Sequence, residues 1–153
     1  MNHIFAVAKT FGEICNWNVN KLHIQKILYV CQMVHLGRHE IPLIDADFNA
    51  TMFGPENPAL ERKLRCFRVD DKIRDVFYFH KTLTDGKSLS VLNDMRGLAD
   101  WTYGEILGLT IRNDGAWADF YVPEANHAIK TSRIEKEYAN IFLDTKVCNA
   151  HAQ

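Results

Sequence analysis

The sequence lacks a long apolar segment, paired cysteines and a clear excess of charge. No stretch reaches the roughly 20 apolar residues that a membrane-spanning helix needs. The 18 lysine and arginine residues nearly balance the 19 aspartate and glutamate residues, for a formal net charge of -1. This balance gives no broad attraction to nucleic acid phosphates or anionic lipids, although a local basic patch is compatible with it. The 153 residues contain no internal repeat and no low-complexity linker, and they fit one globular domain.

The cysteines are too scattered for a zinc ribbon or a dithiol redox motif, both of which need closely spaced pairs. We expect all four to be small buried hydrophobic residues in a reducing cytosol: Cys15, Cys31, Cys66 and Cys148. The segment from Met1 to Phe5 has no basic leader and no small-residue cleavage site, and Lys9 and Glu13 interrupt the apolar pattern that follows. These features predict a cytoplasmic protein.

The run from Val19 to Tyr29 predicts an amphipathic helix over about residues 20–36. Apolar residues recur close to the 3.6-residue period, which places them on one buried face: Leu22, Ile24, Ile27, Leu28, Cys31 and Val34. The polar residues Lys21, Gln25 and Gln32 fall toward the other face. Asn18 or Asn20 can cap the start of this helix, and Gly37 is expected to end it.

The next pattern predicts a half-buried strand from Asp47 to Phe53. Phe48, Ala50 and Met52 alternate with polar residues, which is the period of two that a strand shows. Gly54-Pro55 is expected to end the strand, because proline lacks the donor that a continuing ladder needs.

The remaining pattern is mainly helical. A first helix is predicted over residues 3–16, and Asn57-Pro58 predicts the start of another that runs to about Val69. The apolar pattern from Asp70 to His80 favours a helix over a strand. Ser88 is expected to cap a helix that reaches Trp101, after which Gly104 breaks the chain before a short helix from Glu105 to Ile111.

Two further signals complete the prediction. Asn113-Asp114-Gly115 predicts a turn, and Ser132 with Glu135 forms a capping-box pattern that opens a final helix. We therefore expect a mainly α fold with a short β element (α+β), built as a single compact domain of six to seven helices over residues 1–147. Residues 148–153 are expected to be a frayed tail.

The search for chemistry in the sequence finds weak signals. Asp85-Gly86-Lys87-Ser88 ends like a phosphate-binding loop, but Lys81 stands where that motif needs glycine. His35 and His39 are four residues apart without an intervening glutamate, and they are expected to be surface histidines because Gly37 separates them. Scattered aspartates match no calcium-loop spacing and are expected to be solvated: Asp45, Asp47, Asp70, Asp71 and Asp75.

Cysteine chemistry is not favoured either. Cys31 lies on an apolar helix face where its thiolate is disfavoured, and Cys148 has no neighbouring base except His151 in the tail. The sequence thus predicts no catalytic residue, no cofactor and no metal. It favours a protein that acts by binding.

Several short segments together resemble the SocA-like antitoxin family, also called the Panacea domain and often labelled phage-associated protein. The resemblance spans about residues 5–142 and rests on five segments: Leu22 to Tyr29, Ala50 with Phe53-Gly54-Pro55, Tyr103-Gly104, Leu107, and the Gly115-Ala116-Trp117 turn. In that family a segment like Leu-Gln-Lys-Leu-Leu-Tyr precedes one like Ala-x-x-Tyr-Gly-Pro-Val. Here Phe53 replaces the usual tyrosine, Glu56 replaces the valine, and Ile24 and Ile27 replace leucines.

The resemblance implies an antitoxin that neutralises a partner toxin by direct binding. In at least one member of the family, the antitoxin delivers the toxin to an ATP-dependent protease as an adaptor. The residues expected to bind the partner are Phe53, Gly54, Pro55, Glu56 and Trp117. Those expected to be structural parts of the family motif are Leu22, Gln25, Lys26, Leu28, Tyr29, Tyr103 and Gly104.

Two alternatives remain open from the sequence. One is a mobile-element enzyme, such as a metal-dependent nuclease that uses Asp45, Asp47 and His39. The other is a regulator that binds nucleic acid through the clustered cations of one helix, although the overall charge disfavours it: Arg62, Lys63, Arg65 and Arg68. The four cations are otherwise expected to form a solvated helix face above Leu60, Leu64 and Phe67.

Overall fold

The longest helix, Lys21–His39, lies at the centre of the fold, and most of the other elements pack around it. The computed structural model describes residues 1–68 and 72–143. Within these ranges there are eight α-helices, with a 3₁₀ helix at Arg96–Asp100 and a π-helical turn at Ala139–Leu143. The α-helices are α1 (Ile4–Ile14), α2 (Lys21–His39), α3 (Pro58–Arg65), α4 (Ile73–Val76), α5 (Gly86–Asp94), α6 (Tyr103–Thr110), α7 (Ala116–Phe120) and α8 (Thr131–Tyr138).

Helix α2 is buried on all sides along its central turns. Every residue from Ile24 to Leu36 is buried, including the polar residues Gln25, Lys26 and Gln32. The prediction of an amphipathic helix with a solvated polar face is therefore wrong. Leu22, which the periodicity places in the core, is instead 66% exposed near the start of the helix.

The polar side chains of α2 hold the chain segment between residues 41 and 57. Gln32 accepts a hydrogen bond from the Ile44 N–H at 2.9 Å and donates one to the Ile44 carbonyl at 3.3 Å. Nδ1 of His35 donates to the carbonyl of Ile41 at 2.7 Å. These bonds satisfy backbone groups that helix and strand ladders leave without partners, so the polar residues serve as internal attachment points for a loop.

The start of α2 is predicted correctly and its end is not. The Asn20 side chain caps the helix by accepting a hydrogen bond from Leu22 N at 2.8 Å. The helix continues through Gly37 and ends at Glu40, which is left-handed with φ 57°. A side chain on Gly37 would collide with the ring of Tyr138, so this glycine permits α8 to approach α2 closely rather than ending the helix.

A small antiparallel sheet contains strands β1 (Asn49–Thr51), β2 (Gly54–Glu56) and β3 (His127–Ala128) in the order β2-β1-β3. The chain turns at Met52 and Phe53, so Gly54-Pro55 begins a second strand rather than ending the first. Proline is tolerated because β2 is an edge strand. The Pro55 carbonyl, in addition, accepts a hydrogen bond from the Lys26 ammonium at 3.2 Å.

Side-chain caps fix the starts of the helices around α2. Asn57 caps α3 by accepting from Leu60 N at 3.0 Å, as predicted. Asp85, rather than Ser88, caps α5, and Ser88 is buried within the helix. Thr102 and Glu105 form a capping box at α6, so Gly104 lies in the first turn of that helix and does not precede it.

The last helix also begins differently from the prediction. Helix α8 starts after Lys130 and has no side-chain cap, so the Ser132 capping box is wrong. Gly115 immediately precedes α7, so the predicted Gly115-Ala116-Trp117 turn leads straight into a helix.

The predicted fold class, mainly α with a short β element, is confirmed. The segment from residue 72 to 80 forms the single turn of α4 followed by turns, so the predicted helix there is mostly wrong. Cys31 is buried as expected, but Cys15 is half-buried and Cys66 is exposed. Val69, Asp70, Asp71 and the predicted tail with Cys148 and His151 lie outside the described residues. Among the described helices, none combines the length and apolar character needed to cross a bilayer.

Candidate functional site

A pocket of about 300 Å³ opens where α2, the β1–β2 hairpin, α3 and α6 meet. We call it the hairpin cleft. Its lining joins segments that are far apart in the sequence: Lys21, Leu22, Gln25, Lys26, Phe53, Glu56, Glu61, Leu64, Arg65 and Tyr103. Three separate pieces of the family-like pattern thus contribute to one pocket.

Lys26 and Glu56 form a largely buried ion pair at this cleft. The Lys26 side chain is only 3% exposed, and its ammonium lies 3.6 Å from Oε1 of Glu56. Burial lowers the pKa of Lys26, whereas the Glu56 charge opposes that shift. Loss of the Glu56 charge would therefore leave a buried cation with its bond to the Pro55 carbonyl and the attraction of the Glu61 carboxylate.

Gln25 and α3 form the adjacent wall. Oε1 of Gln25 accepts from the Asn57 backbone N–H at 2.6 Å, while Nε2 donates to Glu61 at 3.1 Å. The second oxygen of Glu61 accepts from Arg65 one helical turn later at 2.9 Å. This chain of bonds fixes α3 against α2 and places a paired carboxylate and guanidinium beside the cleft.

The rim of the cleft is apolar and accessible. Leu22 is 66% exposed and Phe53 is 57% exposed, and Met52 beside it is also exposed. The half-buried ring of Tyr103 stacks on His23 with ring centroids 5.7 Å apart. Burial and the nearby Glu56 raise the pKa of the Tyr103 hydroxyl, so it remains a neutral hydrogen-bonding group at neutral pH.

Two neighbouring hollows extend the cleft along the hairpin. One has a volume of about 570 Å³ and is bounded by Met52, Phe53 and the chain around Pro123. The other, of about 220 Å³, lies between Asn49 and Arg62. Both share Glu56, Glu61 and Arg65 with the hairpin cleft, so the three depressions form one surface region.

Both the backbone conformation and the close packing at position 54 require glycine. Its φ of 100° is rarely adopted by residues with a side chain, and a Cβ there would lie 3.2 Å from Ile111 and 3.3 Å from Cε of Lys26. Gly54 therefore brings the hairpin close to both α2 and the end of α6. In contrast, Gly104 is exposed and a Cβ there would meet no atom within 4 Å.

Trp117 contacts the hairpin but does not line the hairpin cleft. Its indole N–H donates to the Thr51 carbonyl at 2.7 Å, and its half-buried ring stacks on Tyr121 at 4.7 Å. Trp117 therefore stabilises the position of β1. Its predicted contact with a partner stays a prediction.

The other residues of the motif lie deeper. Leu28 is fully buried, and the buried Tyr29 hydroxyl donates to Glu137 at 2.8 Å. The other carboxylate oxygen of Glu137 lies against the start of α7, near the Ala116 backbone, and burial is the main cause that raises the pKa of this side chain. Burial is also the main cause that raises the pKa of Tyr29. The pair joins α2 to α8 inside the core.

The residues that the sequence offered as weak candidates for metal binding do not come together in the described structure. Within residues 1–68 and 72–143, no group of three or more His, Cys, Asp or Glu side chains could hold a metal ion. Asp45 and Asp47 are exposed, apart from this cleft. His35 is buried rather than on the surface, and its ring packs against that of His39 at 4.8 Å because α2 continues past Gly37.

The sequence-based prediction missed Glu61 and Arg65 as parts of the site. Arg65 was assigned to a solvated face and is exposed, whereas Glu61 was given no role and is half-buried. The spacing of Glu61 and Arg65 by one helical turn is a signal for their pairing. No sequence signal places that pair beside Lys26, because the contact depends on how α3 packs on α2.

Comparisons of the chain with models of known protein families, with curated proteins and with solved structures found no match.

Proposed function

We propose that this protein is a cytoplasmic antitoxin that neutralises a protein toxin by direct binding at the hairpin cleft. One observation carries the proposal: Leu22, Lys26, Phe53, Glu56 and Tyr103, from three separated segments of the family-like pattern, line the same pocket. The resemblance to SocA-like antitoxins supplies the class of partner. The structure supplies a surface on which those segments come together.

The physical character of the cleft suits a protein partner. Exposed apolar side chains that sit beside a pocket are typical anchors of protein interfaces. Leu22 and Phe53, which are both exposed and both line the cleft, provide such anchors. The paired charges of Glu56, Glu61 and Arg65 lie next to them and can select a partner of complementary charge.

The proposal predicts that a neighbouring gene encodes the toxin, and co-expression with the product of that gene tests it. We expect the wild-type protein to restore growth and to co-purify with the toxin. Leu22→Ser and Phe53→Ser should lose both properties while remaining folded, since both side chains are exposed. Phe79→Ser, which changes an exposed aromatic outside the cleft, is the matched control and should keep both properties. Normal neutralisation by the cleft variants would contradict the assignment of this surface.

Glu56 is expected to affect the choice of partner. It stands where the family-like pattern has valine, and it belongs to both the ion pair and the cleft. Glu56→Gln keeps the side-chain shape but removes the charge. We expect this variant to weaken binding to the cognate toxin more than Glu61→Gln does, with affinities measured by calorimetry. Equal effects of the two substitutions would show that Glu56 has no special role and that both carboxylates of the cleft determine the choice of partner.

The adaptor role is a finer part of the proposal. If the protein delivers its toxin to an ATP-dependent protease, toxin levels should fall on co-expression and recover in cells that lack the protease. If neutralisation persists in those cells while toxin levels stay undiminished, the protein acts by blocking the toxin and not by delivering it for degradation.

A further inference from the structure

Three largely buried polar side chains line the hairpin cleft together, and we call them the polar wall: Gln25, Lys26 and Glu56. Lys26 donates to the Pro55 carbonyl at 3.2 Å, and its ammonium lies 3.6 Å from Oε1 of Glu56. An ammonium has three N–H groups and a carboxylate has two oxygens. Lys26 can therefore donate once more, and Glu56 can accept through its second oxygen.

Gln25 adds a further donor to the polar wall. Its Oε1 accepts from the Asn57 N–H at 2.6 Å, and one N–H of its amide donates to Glu61 at 3.1 Å. The amide has a second N–H that these two bonds do not use. The polar wall thus offers donors beside an acceptor. A carboxamide group matches this pattern, because it carries both functions itself.

The charges in and around the cleft nearly balance, so they do not select a charged ligand. Lys26 pairs with Glu56, and Arg65 pairs with Glu61 at 2.9 Å. The other charged residues that line the three depressions, or lie close in sequence to Tyr103, are of both signs: Lys21 and Arg62, and Asp100, Glu105 and Glu124. Hydrogen-bonding capacity is therefore the better guide to the ligand.

We propose that the hairpin cleft receives a neutral carboxamide side chain, asparagine or glutamine, from the toxin. The amide oxygen accepts from Lys26 or Gln25, and the amide nitrogen donates to Glu56. This inference rests on the proposed function, which supplies a protein as the partner.

Either charged alternative would meet a like charge of the polar wall. A ligand carboxylate would approach Glu56, and a ligand ammonium would approach Lys26, whose side chain is only 3% exposed. Like charges brought together away from solvent cost affinity. A carboxamide is neutral, so it leaves the buried ion pair intact while bonding to both of its members.

The rest of the lining suits apolar residues on either side of the amide. Leu22 and Phe53 both line the cleft and are both exposed. The cleft volume of about 300 Å³ is at the lower end for ligand pockets, which suits one side chain. We therefore expect a toxin segment in which asparagine or glutamine lies between apolar residues.

Nuclear magnetic resonance titration of the isotope-labelled full chain tests this inference without the toxin. The probes are three capped tripeptides, acetyl-Leu-Xaa-Leu-amide, with glutamine, glutamate or lysine at the central position. We expect the amide signals of Leu22, Lys26 and Glu56 to shift with the glutamine peptide. The glutamate and lysine peptides should bind about tenfold more weakly or worse.

Glu56→Gln should change the preference of the cleft. Lys26 then lacks its closest ion-pair partner, and a ligand carboxylate can take that place. We expect this variant to bind the glutamate peptide at least as tightly as the glutamine peptide. Leu22→Ser should weaken binding of all three peptides by a similar factor, because it alters only the apolar rim. Phe79→Ser, outside the cleft, is the control and should keep the wild-type ranking.

Circular dichroism shows whether each variant is folded, and the wild-type ranking decides the inference if Glu56→Gln does not fold. Equal affinities for the three peptides, tighter binding of a charged peptide, or no shifts at the cleft would overturn it. Glutamine-selective binding without neutralisation on co-expression would refute the antitoxin role and leave the amide site standing. Neutralisation without any preference for the glutamine peptide would do the reverse.

Discussion

At the scale of single residues, the central finding is that buried polar side chains of α2 hold the loop that forms the site. Gln25, Gln32 and His35 each bind backbone groups between residues 41 and 57. A buried amide or imidazole is tolerated when it satisfies such groups, and its loss leaves them without partners. The polar residues of this helix thus contribute to both stability and the position of the hairpin.

Gln25→Leu tests this role. Leucine fits a buried position but cannot accept from the Asn57 N–H or donate to Glu61. We expect a loss of about 1–3 kcal/mol in the free energy of unfolding, because the Asn57 donor is left unsatisfied. Urea denaturation measures the change. Lys21→Ala, at a half-buried position of the same helix without such a backbone bond, is a suitable comparison. A neutral effect of Gln25→Leu would show that water replaces the side chain.

Glu137 should give stability a particular dependence on pH. Burial raises its pKa in the folded protein above the ordinary value of 4.5. Between these two pKa values the folded protein holds a proton that the unfolded chain has released. Stability that is present below pH 4.5 is therefore lost as the pH rises through the folded-state pKa.

Glu137→Gln removes this titration while keeping an oxygen that can accept from the Tyr29 hydroxyl. We expect the wild-type protein to lose stability relative to Glu137→Gln as the pH is raised from 4.5 toward neutrality. Urea unfolding of both proteins at several pH values measures the difference. Other ionisable groups are common to both proteins, so parallel pH profiles would show that burial does not perturb Glu137.

The local roles of residues, such as capping, were predicted better than their burial. Asn57 was recognised as a cap and Asn20 was one of two candidates for the cap of α2, because the capping interaction is local. Leu22 and Gln25 were assigned to the wrong environments, since a helical period cannot show that a loop covers the polar face and leaves an apolar residue outside.

At the scale of elements, the approach of α8 to α2 depends on a glycine. Gly37 lies beneath the Tyr138 ring, and Tyr29 of α2 reaches Glu137 of α8 in the same interface. Close packing of helices commonly requires a small residue at the contact, whatever its cost in helix propensity.

Gly37→Ala should therefore destabilise the protein despite the higher helix propensity of alanine. The added methyl group would collide with the Tyr138 ring, and we expect a loss of about 1–3 kcal/mol or more. Gly108→Ala in α6 is the matched control, because that position is exposed and a Cβ there meets no atom within 4 Å. Thermal unfolding of both variants measures the change in stability. Gly108→Ala should be neutral or stabilising in this experiment. Similar effects of the two substitutions would show that α8 shifts to accommodate the methyl group.

The hairpin shows why short strands are hard to predict. Phe48 and Ala50 are buried as the alternation predicts, but Met52 lies in the turn. Strands β2 and β3 contain three and two residues, too few for a periodic pattern to appear. Their pairing depends on contacts with distant residues, including the bond from Trp117 to Thr51.

At the scale of the whole molecule, the buried helix α2 joins the elements into one unit. It packs against α1, α3, α5, α6, α8, the 3₁₀ helix and β2. The site depends on the same arrangement, because its residues come from α2, the hairpin, α3 and α6. The sequence pattern supplied most of these residues, but their convergence results from packing around α2.

This architecture predicts that the protein unfolds in a single cooperative transition. No element that packs on α2 can detach without exposing part of its buried surface, and domains of this size commonly show two-state behaviour. The tryptophans lie after α1, after the 3₁₀ helix and in α7, so their fluorescence reports on distant parts of the fold. Urea unfolding curves from fluorescence and from far-ultraviolet circular dichroism should therefore coincide. The single-tryptophan variants that retain Trp17, Trp101 or Trp117 should share one midpoint after correction for the stability change of each substitution. An earlier transition reported by one tryptophan would show that its region unfolds independently of α2.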